Sequence, residues 1–130
     1  MPNILIIDDD VSINDMISEA LVTEGYTVQK AYSGTEAMML LSQYKPDLIL
    51  LDLMLPGITG EELLSDINDI PVIVVSAKAD ISDKVGLLLG GADDYITKPF
   101  NPLELIARVK SHLRRYTKLG NEVESDGNIY

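Results

Sequence analysis

Five short, mostly apolar runs alternate along this chain with longer stretches in which apolar residues recur every three or four positions. The short runs predict β-strands at 3–7, 27–31, 48–51, 71–75 and 95–97. The longer stretches predict helices at about 12–24, 33–45, 61–67, 82–90 and 102–116. The third and fourth runs are apolar throughout, which is typical of strands that are buried on both faces of a parallel sheet.

The alternation of strands and helices predicts an α/β fold. Strand–helix–strand units make successive strands parallel and place the helices on the two faces of the sheet. We therefore expect a doubly wound, five-stranded parallel sheet with five helices, in three α/β/α layers. The 130 residues suffice for one domain with a substantial core and are too few for two ordinary domains.

Polar residues at the ends of the predicted helices indicate where these helices begin and end. Ser12 and Asp15 have the spacing of a capping box at the first helix. Asn101 is expected to be the N-cap of the last helix. His112 and Arg114 make the end of that helix basic, which favours interaction with the helix dipole.

The composition excludes several classes of function. The net charge of −11 argues against direct binding to nucleic acid, because the phosphate backbone would be repelled. The chain has no cysteine and a single histidine, which excludes disulfides, thiolate metal sites and multi-histidine metal sites. No apolar run approaches the roughly 18 residues that a membrane span needs. We therefore expect a cytoplasmic protein that does not contact a membrane.

Polar residues stand at the ends of four of the predicted strands. Asp8 and Asp9 follow the first strand, Asp52 follows the third, Ser76 follows the fourth and Lys98 follows the fifth. The carboxyl ends of parallel strands lie along one edge of the sheet, where open α/β sheets bind their ligands. These groups, distant in sequence, should therefore converge.

The electrostatics of this cluster predict a cation. Two carboxylates about 4 Å apart repel by roughly 4 kcal/mol at an effective dielectric constant near 20. Asp8, Asp9 and Asp52 would therefore need a positive partner, and an all-oxygen ligand set favours Mg²⁺ or Mn²⁺ over Ca²⁺. A divalent cation, the Lys98 ammonium and the Ser76 hydroxyl are the groups needed to transfer a phosphoryl group onto a carboxylate, which would form an aspartyl phosphate.

Four motifs, IIDDD, LILLDLMLPG, VIVVSAK and GADDYITKPF, occur in an order and spacing that resemble the receiver domain of two-component response regulators. The resemblance implies a flavodoxin-like sheet with strand order 2-1-3-4-5 and a receiver domain at residues 1–117. It also implies that the domain is a regulator that assists its own phosphorylation and dephosphorylation and is not a conventional turnover enzyme.

The resemblance assigns roles to the residues at the strand ends. Asp52 would accept a phosphoryl group from a sensor histidine kinase. The Mg²⁺ ligands would be the carboxylates of Asp8, Asp9 and Asp52 and the backbone carbonyl of Met54.

The same resemblance assigns the remaining positions of the switch. Ser76 and Lys98 would contact the phosphoryl oxygens, and the Lys98–Pro99 peptide bond would be cis. Tyr95 resembles the aromatic residue that moves inward when Ser76 moves toward the phosphoryl group.

The GADDY string is similar to the subfamily that carries a C-terminal winged-helix DNA-binding domain. Members of that subfamily dimerise through the fourth helix, fifth strand and fifth helix when phosphorylated. Carried over to this chain, the pairs between protomers would be Lys84 with Glu104 and Asp94 with Arg108. Residues 118–130 would be a linker or the start of the absent DNA-binding domain, through which the protein would regulate transcription.

Two other interpretations are open at this point. The IIDDDVS stretch also fits haloacid-dehalogenase-type phosphatases, with Asp8 as nucleophile and Asp10 as acid, although the chain has no room for a cap over the substrate. A domain that only binds a divalent cation or another protein is the third possibility. The aspartate that becomes acylated distinguishes the three: Asp52 in a receiver, Asp8 in a phosphatase and neither in the third.

Overall fold

The structure is a computed structural model that describes residues 2–77, 86 and 90–120, with side chains described as far as Arg114. The strands are β1 (Asn3–Ile7), β2 (Thr27–Ala31), β3 (Leu48–Leu51), β4 (Val72–Ser76) and β5 (Asp94–Thr97). The helices are α1 (Val11–Thr23), α2 (Gly34–Leu41), α3 (Gly60–Asp66) and the C-terminal helix (Pro102–Gly120).

The five strands form one parallel sheet in the order β2-β1-β3-β4-β5. The predicted fold class and strand order are therefore confirmed. Four of the five predicted helices lie within the described residues. Of the predicted helix at 82–90, only Gly86 and Gly90 are described, and the Gly90 N–H donates a hydrogen bond to the Gly86 carbonyl at 2.9 Å.

The core consists of two apolar clusters, one on each face of the sheet. Alternate residues of β1 and β3 point to opposite faces: Leu5 and Ile49 belong to one cluster, and Ile6 and Leu50 belong to the other. Every residue of β3 and β4 is buried, which explains why these two stretches are apolar except for Ser76 at the end of β4. The edge strand β2, by contrast, has exposed positions.

Side chains at the helix N-termini differ in part from the expectation. Asp10 is the N-cap of α1, because its carboxylate accepts a hydrogen bond from the Ile13 N–H at 3.1 Å. The predicted capping box at Ser12 is therefore wrong. Thr59 and Glu62 form a complete capping box at α3, which their Thr-x-x-Glu spacing in the sequence indicates.

None of the helices in the described part of the chain is both long enough and apolar enough to cross a lipid bilayer.

Gly60 allows α3 to begin directly beside the end of β3. A Cβ atom on Gly60 would lie 2.7 Å from the carbonyl oxygen of Asp52 and would also overlap the Cα of Leu53. Both contacts are with backbone, which cannot rotate away. The absence of a side chain at Gly60 therefore determines how closely α3 approaches the backbone of Asp52.

We predict that Gly60→Ala destabilises the domain by about 1–3 kcal/mol, because the new methyl group would push α3 away from Asp52 and Leu53. Urea unfolding followed by circular dichroism would measure the change. Gly86→Ala is the matched control, because a Cβ atom there meets nothing within 4 Å. Equal stabilities for the two variants would contradict the prediction.

Candidate functional site

The parallel hydrogen-bond ladder brings the strand ends together. The Asp52 N–H donates to the Ile7 carbonyl at 2.9 Å, which places Asp52 beside Asp8. In the same way, the Lys98 N–H donates to the Ser76 carbonyl at 2.9 Å. The residue that follows each strand therefore continues the register of the sheet, and its side chain lies at the carboxyl edge.

Lys98 joins the two central carboxylates. Its Nζ lies 2.8 Å from Asp8 Oδ2 and 3.0 Å from Asp52 Oδ2. Asp8 is 2% exposed and Asp52 is 6% exposed, whereas Asp9 lies on the surface. A buried carboxylate is stable only when it is paired and hydrogen-bonded, and Lys98 supplies that pairing for both.

The second oxygen of each buried carboxylate accepts a backbone hydrogen bond. The Asp10 N–H donates to Asp8 Oδ1 at 2.9 Å, and the Met54 N–H donates to Asp52 Oδ1 at 3.1 Å. Each carboxylate is thus held between Lys98 and an N–H group two residues further along the chain. Their orientation is determined before any ligand binds.

Burial and pairing shift the proton affinities at this site. Burial raises the pKa of the Asp8 carboxyl above its ordinary value, and hydrogen bonds from Lys98 and Asp10 offset only part of that rise. Burial lowers the pKa of the Lys98 ammonium, but its hydrogen bonds to Asp8 and Asp52 outweigh this effect and raise that pKa. Lys98 therefore stays charged at neutral pH.

The residues present suit a hard divalent cation. Asp8, Asp9 and Asp52 each offer an oxygen atom, and these oxygens lie within 4.8 Å of one another. Among the described residues, three carboxylates and the ammonium of Lys98 lie together at this edge, so their negative charge exceeds their positive charge. A cation with oxygen ligands would balance that charge.

The other residues implied by the resemblance also lie near this edge. Ser76 is the last residue of β4 and its side chain is buried. Tyr95 lies in β5 and packs, partly buried, against the apolar cluster that contains Leu51 and Val74. The Lys98–Pro99 peptide bond is cis. The roles of Ser76 and Tyr95 in a switch stay predictions.

A second charged cluster joins β5 to the C-terminal helix. Arg108 lies 2.7 Å from Asp94 and 3.0 Å from Glu104, both within the same chain. Two of the residues expected to pair between protomers, Asp94 and Arg108, are therefore already paired with each other. Lys84 lies outside the described residues.

His112 belongs to this cluster, whereas its place near the basic end of the helix predicts only an interaction with the helix dipole. His112 is only 7% exposed, and its Nε2 lies 3.0 Å from Asp94 Oδ2. Burial raises the pKa of Asp94, but hydrogen bonds from His112, the Tyr95 N–H and Arg108 outweigh burial and lower it. His112 is 18 residues from Asp94, and no sequence spacing signalled this contact.

A scan against protein-family models matches residues 4–110 to the response regulator receiver domain. The chain belongs to the response regulator receiver family. This match covers most of the chain, including all of β2 to β5 and all of β1 except Asn3.

Curated relatives of this receiver chain are about twice its length. Regulatory protein VanR of Enterococcus faecium is 46% identical over 129 residues, which is 97% of this chain and 56% of the relative. The DNA-binding dual master transcriptional regulator RpaA of Synechocystis sp. is 45% identical over 125 residues, which is 92% of this chain and 52% of the relative. The chain therefore spans about half the length of these relatives.

Solved receiver domains have the same fold. The receiver domain of the Francisella response regulator 1452 superposes with a TM-score of 0.86 at 35% identity, covering 89% of this chain and 99% of that one. A CheY-like receiver domain from Methanospirillum hungatei JF-1 gives 0.86 at 34% identity, covering 91% and 98%.

These findings do not favour the phosphatase interpretation. In that family the second aspartate of the motif would serve as the acid, whereas the Asp10 carboxylate here caps α1 through the Ile13 N–H. Asp52, which the phosphatase motif leaves without a role, is buried against Lys98 beside Asp8.

We predict that the free energy of unfolding falls less steeply with decreasing pH in Asp94→Asn than in the parent. The folded pKa of Asp94 lies below its ordinary value of 3.8, so its pairs stabilise the fold fully above that pH. This contribution is lost as the pH falls through the folded pKa. When urea unfolding is measured from neutral pH to about pH 3, the free energy of unfolding should therefore fall more steeply for the parent than for the variant.

Glu104→Gln serves as the control, because it removes only the exposed pair with Arg108. Such exposed pairs are worth less than about 1 kcal/mol. If the free energy of unfolding had the same pH dependence in the parent and in Asp94→Asn, the prediction would be disproved.

Proposed function

We propose that this domain is a phosphorylation-activated switch in which Asp52 accepts a phosphoryl group from a sensor histidine kinase. The observation that carries the proposal is the pairing of buried Asp52 with Lys98, beside Asp8 and Asp9 at the carboxyl edge of the sheet. Among the three aspartates, Asp52 follows the central strand β3 and so lies between the other contributing strands.

In the transfer, a carboxylate oxygen of Asp52 attacks the phosphorus of a phosphohistidine. The new P–O bond forms as the P–N bond breaks, and the electron pair of that bond leaves with the imidazole. The Lys98 ammonium would stabilise the charge on the phosphoryl oxygens, and the Ser76 hydroxyl would donate a hydrogen bond to them. No redox partner is needed.

Asp8, Asp9, Asp52 and the carbonyl of Met54 would hold Mg²⁺, with Mn²⁺ as a substitute. When bound, the cation supplies charge neutralisation for the incoming phosphoryl group. The protein residues supply orientation, since the Met54 N–H holds one oxygen of Asp52 in place.

Phosphorylation would convert the Asp52 carboxylate into a bulkier, more negative group and so change its contacts with Lys98 and Ser76. We propose that Ser76 and Tyr95 change position in response, and that their movement alters the contacts of β5 and the C-terminal helix. Moving a two-state equilibrium from 1:99 to 99:1 needs about 5.5 kcal/mol of differential stabilisation. New bonds from a phosphoryl group to Lys98, Ser76 and the metal are of the kind that supplies such an energy.

We predict that incubation with acetyl phosphate and Mg²⁺ adds one phosphoryl group to the parent and none to Asp52→Asn. Intact-mass spectrometry would detect the adduct. Hydroxylamine should remove it, because an acyl phosphate is a mixed anhydride whose acyl carbon hydroxylamine attacks with release of phosphate.

Two controls define the acceptor. Asp9→Asn should slow the reaction without moving its site, because Asp9 is exposed and would act through the metal. Asp8→Asn should do the same. A phosphoryl adduct that persists on Asp52→Asn would refute the assignment and would return Asp8 to consideration as the nucleophile.

The proposal extends to dimerisation and to transcription. Relatives such as RpaA are named DNA-binding transcriptional regulators, and this chain would act through a similar C-terminal domain beyond residues 118–130. Phosphorylation would favour a homodimer in which Arg108 exchanges its partner Asp94 for the partner subunit's copy, and in which Lys84 pairs with Glu104. The cytoplasmic location and the domain division at 117 stay predictions.

We predict that Arg108→Ala is phosphorylated normally but forms a weaker dimer. Two symmetry-related pairs, each worth up to about 1 kcal/mol, would be lost together, so the dimer dissociation constant should rise about tenfold. Sedimentation velocity of the phosphorylated proteins would measure the constant.

Lys30→Ala is the matched control for this experiment. It removes a surface ion pair of 2.9 Å with Asp15, at the opposite edge of the sheet from β5. Equal dissociation constants for Arg108→Ala, Lys30→Ala and the parent would exclude this interface.

A further inference from the structure

Asn14 is a polar residue on the buried side of α1. The buried residues of this helix are Asn14, Ile17, Ser18 and Leu21, and Asn14 is 0% exposed. An amide side chain at such a position is costly unless it is hydrogen-bonded. Its presence therefore requires an explanation that apolar packing does not supply.

The side-chain NH₂ group of Asn14 binds two backbone carbonyls. Nδ2 donates to the Asp8 carbonyl at 3.0 Å and to the Ala31 carbonyl at 3.2 Å. Both partners are acceptors, so only the NH₂ end of the amide can face them. Among the described residues, Asn14 Oδ1 has no hydrogen-bond partner. Both hydrogen bonds of the Asn14 side chain therefore go to backbone carbonyls at the ends of β1 and β2.

The Asp8 carbonyl needs this donor because of its place in the chain. β1 ends at Ile7, and Asp8 keeps one ladder bond through its N–H, which donates to the Ala31 carbonyl at 3.0 Å. The Asp8 carbonyl belongs to the peptide group that links Asp8 to Asp9. A donor on that carbonyl therefore restricts the rotation of the peptide group between two residues of the carboxylate cluster.

The surrounding backbone closes a small hydrogen-bonded loop. The Asn14 N–H donates to the Asp10 carbonyl at 2.9 Å, and the Asp10 N–H donates to Asp8 Oδ1 at 2.9 Å. Main chain and side chain of Asn14 thus restrain residues on both sides of Asp9. This restraint acts on the direction of the Asp8 and Asp9 carboxylates relative to each other.

We propose that Asn14 is a positioning residue for the metal site, orienting the Asp8–Asp9 peptide group so that both carboxylates face the same cation. This inference rests on the proposed function only for the identity of the cation as Mg²⁺. Residues that orient metal ligands typically contribute about 10–100-fold in metal affinity. The loss of Asn14 should therefore weaken cation binding while leaving the phosphoacceptor chemistry of Asp52 intact.

The test is a titration of the unphosphorylated protein with Mn²⁺, followed by electron paramagnetic resonance of the free ion. In Asn14→Leu, which keeps the side-chain size but loses both donors, the Mn²⁺ dissociation constant should rise about tenfold. Phosphorylation by acetyl phosphate at saturating Mg²⁺ should proceed at close to the parental rate.

Ser18→Ala is the matched control, because Ser18 is a buried polar residue one turn further along the same face of α1. It should bind Mn²⁺ like the parent. Cooperative urea unfolding would show that each variant is folded. A folded Asn14→Leu protein with the parental Mn²⁺ affinity would overturn the proposal, as would equal weakening by Ser18→Ala.

A measurement on the parent covers the case in which Asn14→Leu does not fold. In ¹⁵N-labelled protein, the side-chain NH₂ resonances of Asn14 should shift during Mg²⁺ titration with the same midpoint as the Asp9 backbone amide. Shifts at Asp9 with none at Asn14 would refute the coupling, and so would a parent that binds no divalent cation. Because no phosphoryl donor is present, failure of Asp52 to be phosphorylated would leave this result unaffected.

Discussion

Two buried carboxylates, those of Asp8 and Asp52, share the single ammonium group of Lys98, and the carboxyl edge of the sheet is organised around this contact. Burying a carboxylate without a partner costs several kcal/mol, so the three side chains are mutually dependent. The parallel ladder makes the contact possible, because the residues that directly follow β1, β3 and β5 lie at one edge of the sheet. Lys98 comes from the outer strand β5 and reaches across β4, whose last residue is the small Ser76.

The surrounding structure keeps these groups in place and leaves the site with excess negative charge. N–H groups of Asp10 and Met54 bind the free oxygens of the two carboxylates, and Gly60 lets α3 lie against the backbone of Asp52. One ammonium balances only part of the charge of three carboxylates. A domain built in this way suits a divalent cation, which would relieve the imbalance.

The cluster around Asp94 bears on the proposed dimer, in which Arg108 would exchange its partner. Among the described residues, two side chains of the same chain pair with Asp94, those of Arg108 and His112. If Arg108 pairs with another protomer, His112 still holds Asp94. The exchange would therefore not leave a partly buried carboxylate without a partner, which is the costly step in rearranging an ion pair.

Local sequence patterns determined the strands, most of the helices and the identity of the strand-end residues. Continuous apolar runs require burial on both faces, and polar residues directly after them must emerge at the edge of a parallel sheet. Local patterns also located the N-cap at Asn101, whose side chain accepts a hydrogen bond from the Leu103 N–H. They did not select Asp10 over Ser12 as the N-cap of α1, because both residues have suitable side chains and only the path of the chain after β1 distinguishes them.

Tertiary structure alone decided the contacts of Asn14 with Ala31, of His112 with Asp94 and of Lys98 with Asp8, which join residues 17, 18 and 90 positions apart. The contacts of Asn14 and His112 depend on how helices pack on the sheet, about which the periodicity of a single segment carries no information. The parallel topology predicts that Lys98 and Asp8 lie near each other, but their direct ion pair depends on the reach of the Lys98 side chain across β4.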